Sequence, residues 1–202
     1  MSAAIILRRV KTDKPWVALT FDDGPHPRYT APKLEILRSY QAAATFFVLG
    51  QEAAKYPKLL AELTGSGYEI GSHSHAHPNL ARLGPAAIRN DLAKARSVIG
   101  PHRHFRPPYG AFSKLVQVVA GQMGYAYLAL WNVDPRDWSS PHASTVVSRV
   151  LTALSPGAII VLHDPPKPTV DALPGILDGL KRRGFSAVTL NSLLTAGTPS
   201  SV

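Results

Sequence analysis

The stretch TFDDGPHP places Asp22 and Asp23 side by side, behind the apolar run Trp16–Phe21 and ahead of Gly24 and Pro25. Adjacent carboxylates repel and each resists losing its water, so a compensating charge must stand nearby. Reactive residue types recur at matching places along the chain. His73, His75 and His77 lie in GSHSHAHP, Arg106 in HFRPPYG, Asp134, Asp137 and Trp138 in WNVDPRDW, and His163 with Asp164 in AIIVLHD. One aspartate with two histidines is a three-ligand set that suits a divalent metal and leaves a position for water or substrate. Zinc is the default, although the same set also holds non-haem iron. His73 and His77 bracket a turn and could converge with Asp23. His73 and His75 would point to opposite faces if a strand continued. Spacing prefers the first pair and leaves the second open.

These residues need elements to position them. Apolar runs rich in β-branched and aromatic residues predict strands at 16–21, 44–49, 68–72, 104–107, 126–132, 158–162 and 186–190, the fourth weakened by its prolines. Helical spacings separate them at 30–40, with Thr30 as N-cap, and at 52–64, 85–99, 113–123, 144–154 and 171–183. Strands alternating with helices imply a parallel sheet with helices outside it. Seven such units are one short of a complete eight-unit barrel, so a deformed (β/α)7 barrel is the expected fold, with a doubly wound open sheet as the alternative. The tail 195–202 reads as frayed.

In a parallel barrel the site lies at the C-terminal ends of the strands, and five of the seven predicted strands end in the residues above. If Asp23 binds a metal, Asp22 is free to act as a base, its ionised form favoured by the dication. His163 would face the metal from the far side of the mouth as acid or base. Arg106 could pair with Asp22 or Asp137, and Asp137 could orient His163. Trp138 and Leu162 could wall a small apolar pocket, and Trp131 reads as core. His26, His102, His104 and His142 read as surface or structural residues, and Asp164 as a cap or turn.

LTFDDGP, HSHAH, RPPYG, VDPRDW and VLHD stand in the order and strand-end context of the polysaccharide deacetylase family, the NodB homology domain of carbohydrate esterases. The chain resembles that family from about Val17 to Asp164. The resemblance implies a deformed (β/α)7 barrel and metal-dependent removal of acetyl groups, usually from N-acetylated sugars of the chitooligosaccharide or peptidoglycan kind. Carried over by motif, it makes Asp22 the base, Asp23, His73 and His77 the metal ligands, and His163 the general acid. It puts Arg106 beside the base, the Tyr109 backbone N–H toward the developing oxyanion, and Asp137 behind the acid. Trp138, Leu162 and Pro107 fall to substrate binding. The cofactor implied is Zn²⁺, or another divalent transition metal such as Co²⁺, and the partner an N-acetylated glycan. O-acetyl ester hydrolysis, as on xylan, or small-amide hydrolysis on the same scaffold is the competing reading.

Composition narrows the field. With 202 residues, 45 % hydrophobic and 17 % charged, the chain reads as one domain over 1–202 with its motif core at 16–190, and not as a disordered polymer. No cysteine is present, which excludes disulfides and thiolate metal sites. The net charge of +9 is scattered, with no dense Lys/Arg run, so a nucleic-acid partner is not expected. No stretch approaches the roughly 18 apolar residues of a membrane span. In MSAAIILRRVKTDKP the charges follow the apolar patch, which is not a signal-peptide pattern, so a cytoplasmic location is the default expectation, with a monomeric state.

Overall fold

The longest strand is the one that carries the paired acids, and the sheet is laid out around it. The computed structural model describes residues 2–140 and 142–202. Its strands in chain order are β1 (Ile5–Leu7), β2 (Arg9–Lys11), β3 (Trp16–Gly24), β4 (Thr45–Val48), β5 (Glu69–Ser72), β6 (His104–Phe105), β7 (Tyr127–Ala129), β8 (Ile159–His163), β9 (Ser186–Val188) and β10 (Thr198–Ser200). The helices are α1 (Thr30–Ser39), α2 (Gly50–Lys55), α3 (Pro57–Gly65), α4 (Pro85–Ile99), α5 (Lys114–Gln122), α6 (Ala143–Thr152), α7 (Lys167–Arg182) and α8 (Leu190–Leu194).

The main sheet is parallel and runs β1-β7-β6-β5-β4-β3-β8, with β9 against the first residues of β3. Just beyond β7, Val133 makes a single parallel bridge to Ile160 of β8. That bridge brings the two ends of the curled sheet together and accounts for the deformed barrel the alternation predicts. Because the sheet is covered on both faces, its strands are buried along runs instead of alternating; Val17, Ala18, Leu19, Thr20 and Phe21 are all fully buried. Outside the sheet, α6 and α7 show the usual helical stripe. Val146 and Val150 of α6 and Leu173, Ile176, Leu177 and Leu180 of α7 pack into the largest core cluster. Burying each such side chain contributes about 1.5–3 kcal/mol.

The seven predicted strands are β3 to β9, generally shorter than their apolar runs. Four local expectations change. The predicted helix over 52–64 is two helices, because Pro57 cannot continue the first and opens the second. Thr30 lies inside α1, whose cap is Tyr29, and its hydroxyl serves other partners. The last long helix starts at Lys167, about a turn before the predicted 171. The tail is not frayed. Leu190–Leu194 is helical, and Thr198–Ser200 pairs antiparallel with Arg9–Lys11 beneath the barrel. Among the described residues, no helix is long and apolar enough to cross a membrane.

Candidate active site

In a regular strand Asp22 and Asp23 would point to opposite faces. They do not, because the β3–β4 register shifts between Asp22 and Gly24, and Asp23 takes a left-handed backbone (φ 72°). The bulge re-aims Asp23 so that both carboxylates line one cleft. This cleft, of about 420 Å³, is bounded by Asp22, Asp23, His73, His77, Tyr109, Trp131, Asp134, Trp138, Val161 and His163.

The two histidines reach the cleft by the same device. His73 follows β5, and the turn after it carries two left-handed residues, Ser74 (φ 73°) and His77 (φ 58°). Asp91 on α4 holds the turn, accepting from the backbone N–H of His75 (2.8 Å) and Ala76 (3.2 Å). The first N–H groups of α2, from Gly50 and Gln51, donate to the Ser74 and His75 carbonyls. A Cβ at Gly50 would stand 2.6 Å from His75 Nδ1, so the close approach requires glycine. Asp91 carried no signal in the sequence because its role is made entirely through backbone amides.

Asp23, His73 and His77 each offer one ligand atom, all within 4.8 Å of one another. Asp23 Oδ1 is 3.4 Å from Nε2 of both histidines. The donor set fits a divalent cation on two observations. Buried Asp23 Oδ1 has no hydrogen-bond partner. His73 Nδ1 donates to the Arg106 carbonyl (2.8 Å), which leaves the Nε2 lone pair facing the cluster. Burial works to raise the Asp23 carboxyl, but His73 first, then the charges of His163 and His77, hold it below its ordinary value. Burial and the nearby His73 push His77 down, toward the neutral ring that can ligate. His75 lies outside the cluster, so of the two pairs left open by spacing the structure brings together His73 and His77.

Arg106 is fully buried and pairs with Asp22, not Asp137. Its Nη1 donates to Asp22 Oδ1 (2.7 Å) and Thr20 Oγ1 (2.8 Å), its Nε to the Ala129 carbonyl (3.0 Å) and its Nη2 to the Leu130 carbonyl (3.1 Å). The guanidinium also lies 4.1 Å from the Phe47 ring centre. A buried cation with this many partners answers the repulsion between the two acids and fixes one oxygen of Asp22.

His163 is closer than expected. Strand β8 adjoins β3, and His163 is in register with Asp22, so it borders the acid pair from the β8 edge instead of lying across the mouth. Its Nδ1 donates to Asp137 Oδ1 (2.8 Å), and its backbone N–H to Asp137 Oδ2 (2.7 Å), which the Thr169 hydroxyl also reaches. Burial lowers the His163 value, but hydrogen bonding and charge from Asp137, with Asp22 and Asp23 behind it, raise it to about 9.

The apolar walls differ from expectation in three places. Leu162 is fully buried in the core behind the sheet, and Val161, on the cleft side with His163, takes the wall position. Pro107 is buried and does not line the cleft. Trp131, read as core, does line it, packed against Gly110 and beside Arg106. Trp138 and Tyr109 are 63 % and 67 % exposed, free to meet a ligand. A smaller cavity of about 250 Å³ continues past Asp23, Trp138 and His163 to Pro165 and Pro166. Asp164 does more than turn the chain: its carboxylate pairs with Lys33.

Comparisons with known proteins bear on the family and the fold. A family model described as polysaccharide deacetylase matches residues 9–128. The chain is 37 % identical over 197 residues to a chitooligosaccharide deacetylase of Bradyrhizobium sp. (strain ANU 289), covering 88 % of this chain and 90 % of that protein. Among solved structures, the Bc1960 peptidoglycan N-acetylglucosamine deacetylase superposes with a TM-score of 0.90 at 32 % identity, over 96 % of this chain and 95 % of that one. BA3943 of Bacillus anthracis, a CE4 family pseudoenzyme, also reaches 0.90, at 30 % identity over 96 % of this chain and 70 % of that one. Since one fold serves both a deacetylase and a pseudoenzyme, activity has to be argued from side chains.

Proposed function

The chain belongs to the polysaccharide deacetylase family, and from that premise we propose that it hydrolyses the N-acetyl group of an N-acetylglucosamine-containing glycan of the chitooligosaccharide or peptidoglycan kind. The observation that carries this reading is one cleft in which an arginine-paired carboxylate, Asp22, and a raised imidazole, His163, flank the Asp23–His73–His77 cluster.

Asp23, His73 and His77 would hold the cation, and Zn²⁺ suits two imidazoles and one carboxylate with a position left over, as would Co²⁺. Bound there, it supplies Lewis acidity toward a carbonyl and makes water a better nucleophile at neutral pH. Asp22 has Oδ1 tied to Arg106, which leaves Oδ2 to take the proton of the attacking water as its oxygen adds to the amide carbon. The Tyr109 backbone N–H, in a left-handed turn at the cleft, is the oxyanion donor in this reading; such a donor is worth roughly 3–4 kcal/mol in other enzymes. With Nδ1 held by Asp137, His163 presents Nε2–H to the departing nitrogen. The C–N bond breaks, the nitrogen takes that proton, and acetate and a free amine remain. In this reading Val161 meets the acetyl methyl, and Trp131, Trp138 and Tyr109 stack on sugar rings; their lining of the cleft supports it.

The test is acetate release from chitooligosaccharides, peptidoglycan and acetylxylan side by side. Release from at least one N-acetylated substrate, lost with chelator and restored by Zn²⁺, is expected. Release from acetylxylan alone, or release indifferent to chelator, would overturn the reading.

A further inference from the structure

Directly behind the cleft lies a buried ion pair that the reaction scheme leaves idle. Lys33 on α1 and Asp164 after β8 both have fully buried side chains, with Nζ 2.8 Å from Asp164 Oδ1. The other Lys33 donors go to the Asp164 carbonyl (2.6 Å) and the Tyr29 carbonyl (3.0 Å), so all three are used. Asp164 Oδ2 accepts from the His26 N–H (3.0 Å) and from the Thr30 hydroxyl. The Asp164 N–H donates to the Asp22 carbonyl (2.7 Å). Gly24 is pressed against this carboxylate; a Cβ there would stand 2.3 Å from Asp164 Oδ2.

The pair thus touches both sides of the chemistry. One residue before Asp164 is His163; the Asp164 carboxylate holds the His26 N–H and abuts Gly24, the residues that follow Asp23, while its backbone N–H meets the Asp22 carbonyl. Two apolar side chains could fill the same volume without the desolvation cost of a buried lysine, which is evident in the downward push that burial exerts on Lys33. What apolar side chains could not do is bind the backbone of two strand ends at once. We propose that Lys33 and Asp164 are positioning residues that fix the Asp22–Asp23 turn against His163. They act through the backbone and touch neither substrate nor metal.

This inference rests on the proposed deacetylase reading, and the experiment separates the two. Asp164→Asn, Lys33→Met and the milder Thr30→Val are compared with the native chain at a temperature where circular dichroism shows each folded. kcat on the best N-acetylated substrate is expected to fall about tenfold in the first two and a few-fold in Thr30→Val, with KM within twofold. A purely structural pair would lower melting temperature and leave kcat of the folded protein alone; kcat within twofold of native in every folded variant overturns the proposal. If the first two do not fold, Thr30→Val decides by the same criterion. Should the native chain release no acetate from any substrate, the deacetylase reading has failed, and calorimetric titration with Zn²⁺ alone decides the inference. Affinity weakened threefold or more in the folded variants supports it, and unchanged affinity overturns it.

Discussion

The two ends of the barrel carry the same residue types and put them to opposite use. At the C-terminal rim, His163 pairs with Asp137 at 2.8 Å through Nδ1 and keeps its other nitrogen toward a cleft. At the N-terminal rim, His104 pairs with Glu69 at 3.0 Å through Nε2, which also meets Asn191 of α8, and its ring stacks on Tyr127. Glu69 in turn accepts from Thr45 and the Asn191 N–H. His104, whose side chain is 1 % exposed against 21 % for His163, has nowhere to send a proton. Backbone conformation divides the same way. Of the non-glycine residues with left-handed φ, Asp23, Ser74, His77, Tyr109 and Arg136 lie in the loops around the cleft, and Gln41 alone lies elsewhere among the described residues. Left-handed backbone gathers where side chains must be aimed, and the other end is built from regular strand starts. In the proposed reaction a histidine–carboxylate pair is therefore a tool at one rim and a rivet at the other.

Perturbing each pair sharpens the contrast. The largest effect is expected for His163→Ala, which should lower kcat about 10²–10⁴-fold while leaving Zn²⁺ affinity within about threefold by calorimetry. Asp137→Asn comes next, with a loss on the order of 10² at the low end of that range. The raised value of His163, about 9, means that the imidazole is protonated at neutral pH and that activity depending on it falls as pH rises through that value. Without the Asp137 charge the alkaline limb of the kcat profile should move to lower pH. The same raised value stabilises the fold. That contribution is complete below the ordinary imidazole value of about 6.5 and disappears as pH rises through about 9. Denaturant melts across this interval should show the loss in the native chain and not in Asp137→Asn.

At the other rim, His104→Ala removes one of several partners of the Glu69 carboxylate, which keeps Thr45 and the Asn191 N–H, and should cost about 1–3 kcal/mol by urea melting. kcat of the folded protein should stay within twofold; a large fall in kcat would mean that the two rims are not separate. The smallest effect belongs to Trp138→Ala, which should raise KM a few-fold, consistent with about 1 kcal/mol of stacking, and barely move kcat or melting.

The sequence exposed the working rim better than the scaffold beneath it. Strand ends were legible because β-branched and aromatic runs stop abruptly at charged or turn-forming residues. β1, β2 and β10 were not, since three residues give no periodicity and their partners are distant in sequence, β7 for β1 and the far end of the chain for β2. Leu162 was placed on the wrong face because a strand buried on both sides does not alternate, so its parity cannot be read locally. Trp131 does pack against two core clusters as read, but lying beyond β7 it also lines the cleft, which no strand pattern signals. Asp91 and Lys33 looked like ordinary polar helix residues; only their distant partners give them a role. Arg106 was visible as a candidate; spacing left Asp22 and Asp137 open as partners, the resemblance put it beside Asp22, and the structure shows that pair.

The central claim is a division of labour between two neighbouring carboxylates, and it is tested most directly by comparing Asp22→Asn with Asp23→Asn for Zn²⁺ binding and acetate release. Asp22→Asn should bind one Zn²⁺ with an affinity within about threefold of native and release no acetate above background. Asp23→Asn should fail to retain Zn²⁺ at micromolar concentration. Loss of zinc from Asp22→Asn with retention in Asp23→Asn, or native turnover in either, would contradict the account.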